Sequence, residues 1–242
     1  HTVTGSLLYG AFFVMGISAY YLLKNKYREF AERSMKIAVV VAFVTSIGQL
    51  GTGHHHAVQV AETQPVKLAA FEGLFETSNS APLLLFGVPN PEEGRVDAAI
   101  ALPGFLSFLV AFSFDHEVRG LNDFPREEWP PILASFIPFH LMFLLGLFMI
   151  GFSTVALFLM WRKKLFDTDS GLSKLVLKVA VLSIPIPLLG HLLGWFAAEF
   201  GRQPWAVQGL LTVQDGVSPN VPASHVLFSL IMFTAVYALL FA

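Results

Sequence analysis

Long apolar stretches dominate the chain and are separated by short basic segments and one long polar connection. A helix needs about 20 apolar residues to cross the hydrocarbon core of a bilayer, whereas a barrel strand needs only about 10. Inside lipid the backbone must be hydrogen-bonded within the protein, which continuous apolar runs of this length achieve as helices. The pattern predicts an all-α membrane protein, a bundle of about five transmembrane helices. The predicted spans are Leu7–Leu23, Ile37–Leu50, Ile132–Met160, Leu175–Ala198 and Val221–Ala242.

The basic residues predict how this bundle is oriented. Lysine and arginine are concentrated in the cytoplasmic connections of membrane proteins. Two connections, between the first and second spans and around the link between the third and fourth, are therefore expected to be cytoplasmic. This places residues 51–131 and 199–220 outside. The basic residues of the two connections are Lys24, Lys26, Arg28, Arg33 and Lys36, and then Arg162, Lys163, Lys164, Lys174 and Lys178.

The long connection is the least regular part of the chain. We expect two transmembrane helices in residues 1–52, an extracytoplasmic loop in 53–131 and three transmembrane helices in 132–242. Within the loop, Ala98–Phe114 is apolar but is interrupted by Pro103 and Gly104. A sixth span there would move the basic segment Arg162–Lys164 outside, so we expect a helix on the outer membrane surface or packed within the loop. A connection of this length generally has its own structure and function.

The amino-acid composition excludes several classes of protein and of metal site. The chain is 55% hydrophobic and only 13% charged, whereas a soluble domain carries about 25% charged residues. Its net charge of −2 gives no indication of a nucleic-acid partner. The absence of cysteine from the sequence excludes disulfides, thiolate metal sites and iron–sulfur clusters, so any redox reaction would use another cofactor.

Two pairs of side chains that could take part in chemistry lie where the predicted topology brings them to the outer surface. His1 and Met142 are on different spans at similar depth, and such a pair can ligate one haem iron from both sides. The alternative is that neither residue binds a metal: His1 would simply be the terminal residue, and Met142 would pack in the bundle, where methionine is common. Lys67 and Glu72 lie five residues apart with apolar residues between them, an arrangement that could bind a quinol head group and accept its proton. A surface ion pair on an amphipathic helix is the alternative.

A third polar group lies at the end of the fourth span. Glu199 is a carboxylate at a membrane boundary, which is costly unless it is paired or bound to a cation. Arg202 follows three residues later and could pair with it along one helix face. A simple salt bridge and a cofactor site are both compatible with this spacing.

Several segments resemble one family in a single order along the chain. The segment Gly201-Arg202-Gln203-Pro204-Trp205, preceded by Gly194-Trp195 and Ala198-Glu199, resembles subunit I of cytochrome bd-type quinol oxidases. Gln64–Thr77 is similar to the quinol loop of that family. His1-Thr2-Val3 with Gly16–Leu23, and Leu84–Pro89, resemble its fifth helix and its loop. The resemblance covers helices five to nine of the family and omits helices one to four.

The resemblance implies roles for individual residues. His1 and Met142 would be the axial ligands of a low-spin b haem, and Glu199 would ligate a high-spin b haem. Arg202 would lie near haem propionates and Trp195 between the haems. The catalytic residues Lys67 and Glu72 would bind and oxidise quinol at the outer face. A haem d or a third haem b would be shared with the N-terminal half of subunit I.

The chain departs from the family pattern at a few positions. His140 stands where the family usually has arginine, two residues before the methionine ligand; it could contact a propionate or compete as a ligand. His191 is a possible substitute for another polar residue of the family. His54–His56 matches no known ligand set, and we interpret it as loop.

The resemblance also implies partners and a location. Helices one to four would come from a separate chain or a missing segment, and a subunit II-like membrane protein would complete the complex. The substrate of this complex would be a quinol. The complex would lie in the lipid bilayer of a bacterial or archaeal cytoplasmic membrane. Two other functions stay open: a haem-b quinol dehydrogenase subunit that passes electrons to a different acceptor, and a transporter or structural subunit without a cofactor.

Overall fold

A computed structural model of the chain describes residues 1–241 and divides into two units, His1–Gln203 and Pro204–Ala242. Helices predominate, and short strands occur only in the connections. The helices are α1 (Thr2–Leu23), α2 (Arg28–Thr63), α3 (Pro65–Glu72), α4 (Phe105–Ala111), α5 (Ile132–Trp161), α6 (Gly171–Leu182), α7 (Ile186–Phe200) and α8 (Ala223–Phe241). The strands are β1 (Leu83–Asn90), β2 (Arg95–Leu102), β3 (Trp205–Val207) and β4 (Leu211–Thr212).

The candidate membrane-spanning helices agree with the sequence prediction. Four helices, α1, α2, α5 and α8, are long and apolar enough to cross a membrane, and the bent pair α6–α7 would make a fifth span. In α1, Leu8, Phe12 and Met15 recur every three or four residues and pack against α2 and α6. On the opposite side of α1, Val14 and Ile17 are exposed. A helix that is apolar on both its packed and its exposed side is typical of a membrane span.

The second helix is much longer than its apolar core. It was predicted to end near Leu50, but α2 continues to Thr63, so the interpretation of His54–His56 as loop was wrong. No proline interrupts residues 51–63, and the helix ends only at Gln64, where Pro65 follows. Proline disfavours helical backbone in the residue before it, which explains the stop at this position.

The fourth predicted span is bent. Residues 175–198 are not one continuous helix, because α6 ends at Leu182 and α7 begins at Ile186, with a 44° bend between them. Pro185 and Pro187 cause the break, since each lacks the N–H of a helical hydrogen bond and its ring clashes with the preceding turn.

The connection between α2 and α5 forms a small structured region. Its antiparallel hairpin, β1–β2, was not predicted from the sequence. The apolar segment Ala98–Phe114 is not a span, as expected, but it is not one helix either. Its first residues belong to β2, and only Phe105–Ala111 is helical, after a left-handed turn at Gly104 (φ +66°).

The second unit consists of a short hairpin and a helix. Strands β3 and β4 pair antiparallel between Trp205 and Thr212. Helix α8 begins close to the predicted Val221, and none of its described residues is buried within the chain. Its apolar side chains therefore present a continuous surface suited to lipid or to another helix. The predicted end of this span, Ala242, lies outside the described residues.

Candidate functional site

Helix α3 holds a buried acid at its C-terminal end. Pro65 begins the helix with a preset φ, and Gly73 ends it in a left-handed conformation (φ +61°). Glu72, the last helical residue, is only 4% exposed, and its Oε2 has no hydrogen-bond partner. Burial raises the pKa of Glu72 to about 8. At neutral pH this carboxyl group mainly retains its proton.

Lys67 does not neutralise that acid. Instead, its Nζ donates a hydrogen bond to the carbonyl oxygen of Ala198 in α7, at 3.2 Å. Burial lowers the pKa of Lys67, and the positive charge of Arg202 lowers it further while Glu199 opposes the change. Among residues 1–241, no ion pair includes Glu72 or Lys67, so the surface ion pair considered from the sequence does not form.

Phe71 of α3 contacts both α5 and the residue that follows α7. The ring of Phe71 stacks on Phe139 of α5, with centroids 4.7 Å apart and planes inclined by 10°. Gly201, directly after α7, faces this ring: a Cβ at Gly201 would lie 2.6 Å from Cε1 of Phe71. The close approach explains why a glycine precedes Arg202 here.

The end of α7 carries the predicted ion pair. Nη2 of Arg202 donates to Oε2 of Glu199 at 2.5 Å. Both side chains are about half exposed within the chain, 44% and 43%. Trp195 lies four residues before Glu199, hence on the same face of the helix, and is 59% exposed. A carboxylate and an aromatic ring on one open face leave room for a large planar group.

His1 is held in one orientation by α2. Its Nδ1 lies 3.1 Å from Oγ1 of Thr52, and its Nε2 lies 3.0 Å from Nε2 of Gln49. Because an amide nitrogen only donates, Nε2 of His1 acts as the acceptor and Nδ1 carries the proton. A neutral histidine whose Nδ1–H is hydrogen-bonded can ligate a metal through Nε2, and in His1 such a metal would take the place of the Gln49 amide group.

Met142 lies on α5 against α7. A Cβ at Gly194 of α7 would be 2.7 Å from its Sδ, so the thioether occupies a notch that only glycine leaves open. His1 therefore contacts α2, and Met142 contacts α7. These contacts do not join the two predicted haem ligands to each other.

His140 is buried, 6% exposed, one turn from Phe136. Its Nδ1 lies 3.1 Å from the carbonyl oxygen of Phe136, and its Nε2 lies 3.0 Å from that of Leu84 in β1. Its ring also stacks on Phe136, with centroids 3.8 Å apart. His140 therefore joins a membrane helix to the β1–β2 hairpin.

The chain matches one family of known proteins over its whole length. The model of one family, cytochrome bd terminal oxidase subunit I, matches residues 1–242. The chain belongs to this family. The resemblance drawn from the sequence motifs is thereby confirmed.

Three relatives of the cytochrome bd family show how much of a subunit is represented. The chain is 36% identical over 250 residues to cytochrome bd ubiquinol oxidase subunit 1 of Bacillus subtilis, with 99% of this chain and 52% of the relative covered. It is 29% identical over 305 residues to cytochrome bd-II ubiquinol oxidase subunit 1 of Escherichia coli, with 99% and 58% covered. The bd oxidase structure from Geobacillus thermodenitrificans matches with a TM-score of 0.82 and 32% identity, covering 98% of this chain and 54% of that one. The chain spans about half the length of these relatives.

Cytochrome bd oxidases contain haem, and the residues of this chain fit such a group. His1 presents an unprotonated Nε2, and the buried Oε1 of the neighbouring Gln49 has no hydrogen-bond partner. The thioether of Met142 lies beside Gly194, and a residue larger than glycine at position 194 would displace the sulfur. These donors are the types that ligate haem iron in low-spin cytochromes.

Sequence reasoning missed the residues that orient these donors. Gln49 and Thr52 were included in no candidate site, although a glutamine at the end of an apolar span is a usable signal because polar groups there are costly. The ring of His191 lies close to Gln49, because a Cβ at Gly5 would be 2.6 Å from Nε2 of His191 and 3.3 Å from Nε2 of Gln49. Gly194 was noted only as part of a motif.

Proposed function

We propose that the chain is the haem-carrying half of subunit I of a cytochrome bd-type terminal oxidase. In this proposal the complex oxidises quinol at the extracytoplasmic face and reduces oxygen to water. One observation carries it: the helix with the unpartnered acid Glu72 is docked, through Lys67, onto the end of α7 that bears Glu199 and Arg202. A proton acceptor and a candidate haem ligand thereby lie on adjoining elements.

Glu72 and Lys67 would act on the quinol. Oxidation of a quinol releases two protons with its two electrons, and a general base is most effective when its pKa is close to the operating pH. Glu72, with its pKa raised to about 8 by burial, meets that condition. Lys67 fixes α3 on α7 and brings a positive charge to the site, which favours the anionic form of a quinol head group.

The haem ligands of the proposal come from three helices. His1 and Met142 would hold a low-spin b haem, and Glu199 a high-spin b haem. Arg202 would neutralise propionates, Trp195 would lie between the two haems, and His140 would lie beside the low-spin haem. Bound haem would supply the iron that accepts electrons, while these side chains set its ligation and the charge around it.

Other parts of the complex belong to the proposal too. A further haem, d or b, would be shared with the N-terminal half of subunit I, as a separate chain or a preceding segment, and a subunit II-like protein would complete the assembly. The distribution of lysine and arginine supports a multi-pass protein of a bacterial or archaeal cytoplasmic membrane with residues 53–131 outside.

Oxygen uptake by the purified complex, with a reduced quinol as electron donor, tests this function. Glu72→Gln keeps the size of the side chain but removes the base, so we expect at least a roughly 10-fold loss of uptake with haem absorption preserved. Glu92→Gln, at an exposed acid in the turn of the β1–β2 hairpin, is the matched control and should leave uptake unchanged. Normal uptake in Glu72→Gln, or quinol oxidation without oxygen uptake in the unaltered complex, would contradict the proposal.

A further inference from the structure

A histidine of a membrane helix contacts the β1–β2 hairpin. His140 of α5 reaches the carbonyl oxygen of Leu84 with its Nε2, at 3.0 Å. Its other ring nitrogen, Nδ1, faces the Phe136 carbonyl at 3.1 Å, and its ring stacks on Phe136. Both nitrogens are directed at protein carbonyls, and because a neutral imidazole donates through only one of them, the bond to Leu84 belongs to the tautomer with the proton on Nε2.

The acceptor lies at a special point of the hairpin. The pairing of β1 with β2 is regular up to Leu84, opposite Ala101, and shifts register before Phe86, opposite Ile100. A residue inserted at such an irregularity interrupts the ladder of backbone hydrogen bonds and bends the strand. His140 bonds β1 directly before the first of its two register shifts, at a point that joins the bend to α5.

The other strand of the hairpin contacts the end of α3, directly after the buried acid. A Cβ at Gly73 would lie 2.9 Å from Cγ2 of Val96 in β2 and 3.1 Å from Cε2 of Phe136. Gly73 is the residue directly after Glu72. Val96 and Phe136 therefore close over the end of α3, and Phe136 is the residue on which His140 stacks.

We propose that His140 is a positioning residue, which holds the β1–β2 hairpin as a cover over the end of α3 and so keeps water from Glu72. The role of the covered acid rests on the proposed function, but the anchoring itself does not. With the bond to Leu84 lost, the hairpin separates from α5 more often, and the quinol site loses its shape while the haem ligands keep theirs.

Hydrogen exchange of the hairpin in the intact haem-loaded complex tests the anchor. Loss of one buried hydrogen bond costs about 1 kcal/mol, so in His140→Leu we expect amide exchange in residues 83–102 to become about 5-fold faster. His140→Gln, which retains an N–H donor, should recover part of the protection. His116→Leu, at an exposed histidine in the same connection, is the matched control and should leave the exchange unchanged. Equal exchange in His140→Leu and the unaltered complex would overturn the proposal.

Kinetics and absorption separate this role from a role at the haem. His140→Leu should raise the KM for quinol more than it lowers kcat, with the reduced haem spectrum unchanged; a shifted haem spectrum with a normal hairpin would overturn the proposal. If the complex with His140→Leu fails to assemble, Val96→Ala tests the proposal instead. This variant removes the side-chain atoms of β2 that contact the end of α3. Faster exchange and a higher KM in Val96→Ala support the cover, and unchanged values overturn it. If even the unaltered complex oxidises no quinol, the proposed function fails, while the exchange experiment still tests the anchor.

Discussion

Phe71 and Gly201 are in such close contact that the glycine cannot be replaced without moving the ring. A Cβ at Gly201 would lie 2.6 Å from Cε1 and 3.0 Å from Cζ of Phe71, and 2.9 Å from the carbonyl oxygen of Ala197. The contact sets how closely α3, with its two candidate quinol residues, approaches the end of α7. The fit of these two segments thus sets the position of the candidate quinol residues relative to Glu199 and Arg202.

Replacement of that glycine should therefore impair quinol oxidation without removing any reactive group. In Gly201→Ala the added methyl displaces Phe71, at a cost of about 1–3 kcal/mol for overpacking, and shifts α3 away from α7. We expect quinol oxidation to fall several-fold and the thermal stability of the complex to decrease. Gly146→Ala in α5, where a Cβ would meet nothing within 4 Å, is the matched control. Unimpaired turnover in Gly201→Ala would show that this contact does not position the site.

Met142→Leu should change the low-spin haem. The substitution keeps an apolar side chain of similar volume but removes the sulfur, so the iron loses its proposed sixth ligand. The reduced absorption spectrum should lose its low-spin character, while Met149→Leu, at a buried methionine of the bundle core, should preserve it. An unchanged spectrum in Met142→Leu would contradict the ligand assignment.

Lys67→Met should weaken quinol binding. The variant loses both the hydrogen bond to the Ala198 carbonyl and the positive charge near Glu199 and Arg202. We expect the KM for quinol to rise about 3- to 10-fold, which corresponds to about 0.7–1.4 kcal/mol and so to the loss of one ordinary hydrogen bond, with haem content retained. Steady-state kinetics of Lys67→Met and of the exposed control Lys174→Met provide the measurement. A KM as low as that of the control would argue that Lys67 has no part in binding.

Glu72 should titrate well above an ordinary carboxyl group. Since burial raises its pKa to about 8, it is protonated at pH 7 and ionises only as the pH rises through that value. The infrared carbonyl band of the protonated acid should be present at pH 6.5, disappear above pH about 8, and be missing from Glu72→Gln at both. The rate of quinol oxidation should rise over the same interval. A band already lost at pH 5 would mean that water reaches this carboxyl group.

The membrane helices were predictable because lipid imposes a simple requirement on composition. Apolar runs identified all five spans, and Pro185 with Pro187 contained the signal for the bend between α6 and α7. Hydropathy did not reveal the true end of α2, because Gly51–Thr63 is helical but polar. Hydropathy indicates where a segment can enter lipid, and the helix continues beyond that point until Pro65 stops it.

The candidate site was predictable in its residue types but not in its contacts. The spacing of Glu199 and Arg202 indicated their ion pair, since both lie on one helical turn. The spacing of Lys67 and Glu72 was compatible with a pair that does not form, because Lys67 reaches Ala198 and Glu72 is buried without a partner. Those contacts join segments far apart in sequence, and the anchoring of the hairpin by His140 is of the same kind. Local patterns cannot specify them.

Reduction of the low-spin b haem by quinol is the most direct measurement of the central claim. The purified complex is mixed rapidly with a reduced quinol in the absence of oxygen, and the absorption of reduced b haem is followed in the unaltered protein and in Glu72→Gln. We predict that the reduced band develops within the turnover time of the unaltered complex and is slowed at least about 10-fold by the substitution, because proton transfer to a positioned base contributes at least that much. A complex without a quinol-reducible b haem, or one whose haem is reduced equally fast without the carboxyl group, would contradict the account.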